Sequence, residues 1–102
     1  MKYRLTGQAR QDLLGIWRYI ALDNEPATDR FIDLLVRRFK MLGGNPYLGR
    51  SRDDLRTGYR SFPVGQYIVF YRIVAALETE PCVEIMHVIH GKRDIDALIW
   101  NR

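Results

Sequence analysis

Tyr3-Arg4-Leu5-Thr6 alternates apolar and polar side chains, the period-two pattern of a strand, and Thr6 stands where its hydroxyl can cap a following helix. Ala9, Leu13, Ile16, Trp17 and Ile20 recur at three- and four-residue steps. That spacing predicts an amphipathic helix whose bulky stripe puts Trp17 in the core. Asp23-Asn24-Glu25-Pro26 breaks the pattern, and Pro26 suits the first turn of a second helix. Its stripe is Ala27, Phe31, Leu34, Leu35, Phe39 and Leu42, and Gly43-Gly44-Asn45-Pro46 ends it. Two helices on so short a link form an antiparallel hairpin, with Arg30, Arg37, Arg38 and Lys40 on its solvated face.

Tyr47 to Gly58 is polar, without periodicity and nearly alternating in charge sign. It reads as a loop, either self-paired or carrying binding residues. Tyr59 to Pro63 reads as a strand that should stop near Pro63, because proline has no amide to donate to a ladder. Val64-Gly65 turns the chain into Gln66 to Val74, apolar on both faces like a central strand. After a linking loop from Ala75 to Pro81, Cys82 to His90 is the last strand. Gly91 then lets the chain turn into a short helix over Asp94 to Trp100, with Ile95, Leu98 and Ile99 on one side and Asp94 as its cap. The order β-α-α-β-β-β-α predicts a two-layer α+β fold, a mainly antiparallel sheet covered on one face by the helical hairpin. A length of 102 residues fits one domain spanning 1–102.

Composition adds a compartment and a class of partner. No apolar run approaches the ~20 residues that cross a bilayer. The first residues lack the apolar core of a signal peptide, and the single cysteine, Cys82, has no internal disulfide partner. These features point to the cytoplasm. The net charge of +4 suits an acidic partner, either nucleic acid or an acidic protein segment. Arg50, Arg52, Arg56, Arg60, Arg72, Lys92 and Arg93 concentrate that charge around the expected sheet.

Candidate chemistry narrows quickly. His87-x-x-His90 invites a metal reading, but residues three apart on a strand point to opposite faces, so no metal site is expected. Phosphate-binding glycine loops and nucleophile elbows are missing from the sequence, so no cofactor is expected either. Metal-free RNA cleavage is the one enzymatic option. It needs a base for the 2′-hydroxyl, an acid for the leaving oxygen and cations for the phosphorane charge. His90 with Arg60, Lys92 and Arg93 holds those residue types, which also occur on plain nucleic-acid and protein-binding surfaces.

Tyr3-x-Leu5-Thr6-x-x-Ala9-x-x-Asp12-Leu13-x-x-Ile16-Trp17-x-Tyr19-Ile20-Ala21 resembles the opening of ParE-type toxins of bacterial toxin–antitoxin systems. Pro46-x-x-Gly49-Arg50, Gly58-Tyr59-Arg60-Ser61-Phe62, Tyr67-x-Val69-Phe70-Tyr71-Arg72 and Val88-Ile89-His90-Gly91-x-Arg93-Asp94-Ile95 continue the resemblance in order. The RelE/ParE superfamily implies a sheet whose first strand lies beside its last. It holds two activities: RelE-like members cut mRNA on the ribosome, and ParE-like members poison DNA gyrase.

By motif position Arg60 and Arg93 match two basic residues of the cleaving pattern, whereas Phe62 and Tyr67 stand where it has lysine and arginine. Its terminal tyrosine falls near Ile99 and Trp100, and His87 stands where many ParE-like sequences have arginine. Losing cations and phenol together favours the gyrase-directed branch. The resemblance also implies a cognate antitoxin, with an acidic wrapping segment and the operator-binding domain, in a hetero-oligomer with the toxin. Arg50, Arg60, His90, Lys92 and Arg93 are the expected target- or partner-binding surface. Arg60, His90 and Arg93 would be the catalytic set of an mRNA endonuclease, the alternative reading. A third is a relic that only binds its antitoxin.

Overall fold

In the computed structural model, which describes residues 2–75 and 81–92, the order is β1 (Lys2–Leu5), α1 (Gly7–Ala21), α2 (Glu25–Gly44), a 3₁₀ turn (Pro46–Leu48), β2 (Arg50–Ser51), β3 (Arg60–Val64), β4 (Tyr67–Val74) and β5 (Cys82–His90). The helix expected over Asp94 to Trp100 lies outside the described residues. Thr6 caps α1 as the sequence predicts, its hydroxyl accepting from the Ala9 amide at 3.1 Å. The same hydroxyl donates to the Ile85 carbonyl at 2.9 Å and so ties the helix start to β5. Asn24 caps α2 in the same way through Ala27, with Pro26 in the first turn.

The sheet runs β1-β5-β4-β3-β2. β1 lies parallel to β5 and every other pair is antiparallel. β1 and α1 therefore return the chain so that the helical hairpin covers one face. Leu35, Phe39 and Leu42 of α2 and Ala9 and Ile16 of α1 bury themselves against Val69, Tyr71, Val83, Ile85 and Val88. A second, smaller cluster of Leu55, Tyr59 and Phe70, with Ile68, Met86 and Ile89 against it, forms on the outer face. The apolar two-sidedness of Gln66 to Val74 is explained by these two clusters.

Four local features depart from the sequence reading. The loop from Tyr47 to Gly58 contains β2, a two-residue strand too short to show a period. β3 passes through Pro63 to Val64 instead of stopping there. The hairpin closes on the pair Val64–Tyr67, so alternation makes Pro63–Ile68 a non-bonded pair and turns the proline nitrogen to the edge beyond the end of β2. Phe70 pairs with His87 but Tyr71 with Ile85, so Met86 is an extra residue that shifts the phase of β5. Trp17 is 38 % exposed rather than buried. It follows Ile16 by about 100° around the helix, and Ile16 already points at the sheet.

Candidate functional site

Pairing across the sheet fixes which face each candidate occupies. Arg50 pairs with Ser61, and Ser61 with Phe70, so Arg50 stands on the outer face, where it is exposed. Arg60 pairs with Tyr71 and stands on the helix-covered side. His90 pairs with Tyr67, four residue rows away from Arg60 along β4. That is about 13 Å at strand rise, with two strand spacings across as well. Lys92 follows at the turn after β5 and is exposed. Arg93 lies outside the described residues. The expected surface is therefore divided between two faces and two ends of the sheet.

Arg60 has a structural task that the sequence reading left open. Its Nη2 donates to the Gly49 carbonyl and, at 3.4 Å, to the Tyr47 carbonyl, while its guanidinium carbon lies 5.3 Å from the centre of the Tyr47 ring. Its Nε is buried with no hydrogen-bond partner among the described residues. The Tyr71 hydroxyl, fully buried, donates to the Pro46 carbonyl at 2.7 Å and accepts from the Gly49 amide at 2.8 Å. Arg60 and Tyr71 together pin the segment from Pro46 to Arg50 onto the sheet. The Pro46-x-x-Gly49-Arg50 motif thus serves a backbone junction.

The rest of that loop pairs with itself. Arg52 donates to Asp54 from Nε and Nη2, both at 3.0 Å, and holds its carboxyl below the usual carboxylate range. Asp53 accepts from the Gly58 amide at 2.7 Å.

At the opposite end, His90 packs edge-on against Tyr67 at 5.4 Å. Its Nε2 lies 3.3 Å from the Gln66 side-chain oxygen, and its Nδ1 accepts from the Lys92 amide at 3.3 Å. A groove of about 480 Å³ opens there between Pro63, Gln66, Tyr67, Ile68, His90 and Lys92. His87 faces the other way, 6.4 Å from the Tyr59 ring and 3.7 Å from the Asp12 carboxylate, as the opposite-face argument requires. Asp12 in turn accepts from the Val88 amide at 3.0 Å, a buried-edge bond at the stretch of β5 beyond the end of β1.

The sequence reading missed one cluster altogether. Glu84 on β5 is flanked in register by Arg4 on β1 and Arg72 on β4. Arg4 donates Nε and Nη2 to Glu84 Oε2 at 2.7 and 2.5 Å, and Arg72 donates the same two atoms to Oε1, both at 2.7 Å. Burial pushes the Glu84 carboxyl up, but the hydrogen bonds from Arg72 and Arg4 outweigh it and hold the group below its ordinary 4.5. A carboxyl depressed by folding stabilises the fold fully above that ordinary value, and the contribution is lost as pH falls through the folded value. Wild-type stability should therefore decline below pH 4.5 more steeply than that of Glu84→Gln. Urea midpoints across that range check it, and parallel declines would contradict it.

Comparison with known proteins places this architecture. The family model for the ParE toxin of type II toxin–antitoxin systems, parDE, matches residues 3–95. Toxin ParE1 of Caulobacter vibrioides is 34 % identical over 97 residues, covering 93 % of this chain and 94 % of the relative. Toxin ParE1 of Mycobacterium tuberculosis is 28 % identical over the same coverage. Among solved structures, the chromosomal ParDE system from P. aeruginosa aligns with a TM-score of 0.72 at 18 % identity, covering 90 % of this chain and 97 % of that one. The two-helix layer and the sheet with β1 beside β5 are that fold, and the chain belongs to the ParE toxin family of type II toxin–antitoxin systems.

Proposed function

We propose that this chain arrests bacterial growth by poisoning DNA gyrase in the cytoplasm, and that a cognate antitoxin neutralises it and carries the operator-binding function for the pair. The observation that carries this reading against mRNA cleavage is the placement of Arg60. Its guanidinium is occupied by the Gly49 and Tyr47 carbonyls, and about 13 Å of strand separates its row from His90. General acid–base cleavage needs its acid, base and cations within ~3 Å of one phosphodiester. A guanidinium that fixes a loop on one side of the sheet cannot share a phosphate with an imidazole at the far end. Gyrase poisoning demands no such constellation, only a surface complementary to the enzyme.

Induction of the chain in a bacterial host tests the reading. The expected result is stalled replication and broken chromosomal DNA with mRNA intact, reversed by co-expression of a cognate antitoxin. Early cuts within translated messages, with the chromosome intact, would establish the endonuclease alternative. Uninhibited growth by a folded chain that still binds the antitoxin would mark a relic.

A further inference from the structure

We infer that the outer face of the sheet carries a sequence-independent contact surface for the phosphate backbone of duplex DNA, built from Lys2, Arg4, Arg72 and Arg50. Glu84 binds the Nε and Nη2 atoms of both Arg4 and Arg72. The carboxylate side chain is 9 % exposed, whereas those of the two arginines are 58 % and 49 % exposed. A buried anion thus fixes the orientation of two guanidiniums and leaves the Nη1 edge of each for phosphate oxygens, which arginine forks match in shape. Lys2, two residues before Arg4 on the same strand face, is exposed and adds a third cation. Arg50, exposed on the outer face of β2, carries the row to the opposite edge of the sheet. From β1 to β2 is four strand spacings, about 19 Å, enough to meet several phosphates of a duplex that carries one charge per ~1.7 Å. Four cations against the one buried carboxylate among them leave this belt net positive. Asp54, which attracts Arg50 electrostatically, is already bridged by Arg52 through both its oxygens.

The surroundings of the belt favour a duplex over other polyanions. Between Arg72 and Arg50 the large apolar side chains of this face, Tyr59 and Phe70, are buried. The exposed large apolar side chains among the described residues belong to α1, to Leu22 just after it and to the 3₁₀ turn, and none stands on a strand. A protein partner would find no apolar anchor between these cations, and such anchors dominate protein interfaces. Single strands bind by stacking bases on exposed rings, which the belt also lacks. A duplex backbone needs neither, because cations that displace its counterions supply the affinity. No side chain of the belt is aimed to read bases, so it complements rather than replaces operator recognition by an antitoxin. Glu84 acts as a positioning residue for the two guanidiniums.

Fluorescence anisotropy on the purified full chain tests this with two short labelled duplexes of unrelated sequence, titrated across a range of salt. A labelled single strand and labelled polyglutamate run beside them. Both duplexes should bind equally, and more tightly than either control. The logarithm of the binding constant should fall with the logarithm of salt at a slope of about −3 to −4, roughly 0.9 for each phosphate neutralised. Lys2→Gln, Arg50→Gln and Arg72→Gln should each weaken both duplexes alike and make the slope shallower by about 1. Arg37→Gln and Lys40→Gln remove the same charge from exposed positions of α2 and should leave the slope unchanged. Equal effects from the α2 variants would show that net charge alone attracts DNA, and would overturn the inference. Tighter binding of polyglutamate or of the single strand, or a preference between the duplexes, would overturn it too. Because Lys2 and Arg50 are exposed, their variants remain informative if Arg72→Gln, which takes a partner from Glu84, fails to fold. The assay contains no gyrase, so failure here is distinguishable from failure of the gyrase reading.

Discussion

Phe39→Ala should destabilise the protein by about 3–5 kcal/mol, the largest loss expected from any single truncation in the helical layer. Phe39 is fully buried, with its ring 5.6 Å from that of Tyr3 and its neighbours drawn from both α2 and the sheet. Removing the ring takes away the burial that fastens α2 to β1 and leaves a cavity that the stiff strands beneath cannot close. Domains of this size are stable by only ~5–15 kcal/mol, so the variant would sit near the limit of folding. A urea titration should show a much lower midpoint with an unchanged slope. Trp17→Ala, about 100° around the helix from buried Ile16 and 38 % exposed, should cost far less. Equal losses for the two would contradict the assignment of Phe39 to the core and Trp17 to its rim.

Gly49→Ala should cost about 3 kcal/mol for a different reason. An added methyl would run into the Tyr71 hydroxyl, and would lie 2.7 Å from Tyr71 Cε1 and 2.8 Å from the Ser61 carbonyl. The carbonyl belongs to a paired strand and the ring is fully buried, so neither can yield cheaply. Moving the loop instead would break the Gly49 and Pro46 bonds to Tyr71 and the carbonyl contacts of Arg60. Gly7→Ala is the control, because a methyl there meets nothing within 4 Å. A loss at Gly49 no greater than at Gly7 would mean that the Pro46 to Arg50 segment is not pinned as described.

These two positions show what the sequence discloses. Phe39 was legible because α2 repeats its apolar residues at helical spacing from Ala27 to Leu42, and the period alone names the buried face. β5 was legible from Cys82 to His90 because its apolar density is bounded by Pro81 and Gly91. Trp17 was not, since periodicity gives a stripe but not where the stripe meets its rim. Gly49 was visible as a motif residue, but its reason lies with Tyr71, 22 residues on.

The functional residues follow the same division. The sequence could supply Arg60 and His90 as chemical types, but only strand pairing shows that they lie four residue rows apart along β4 and on the strands either side of it. The Arg4–Glu84 contact joins residues 80 positions apart through a parallel pairing, so no local pattern signals it. An acidic residue placed among β-branched neighbours on a central strand was the available hint, because a buried carboxylate requires partners. The resemblance in motif order identified the family and the placement of β1 beside β5. It did not distinguish the arginine that holds the backbone from those left exposed.

The most direct measurement is gyrase supercoiling of relaxed plasmid by the purified chain freed of antitoxin, scored for trapped double-strand cleavage, with mRNA integrity on programmed ribosomes in parallel. Blocked supercoiling, accumulated cleavage complex and intact mRNA are expected. Full gyrase activity together with cut mRNA would contradict the gyrase reading, and would require an acid, a base and a cation to meet at one phosphate on a sheet where Arg60 and His90 are held apart.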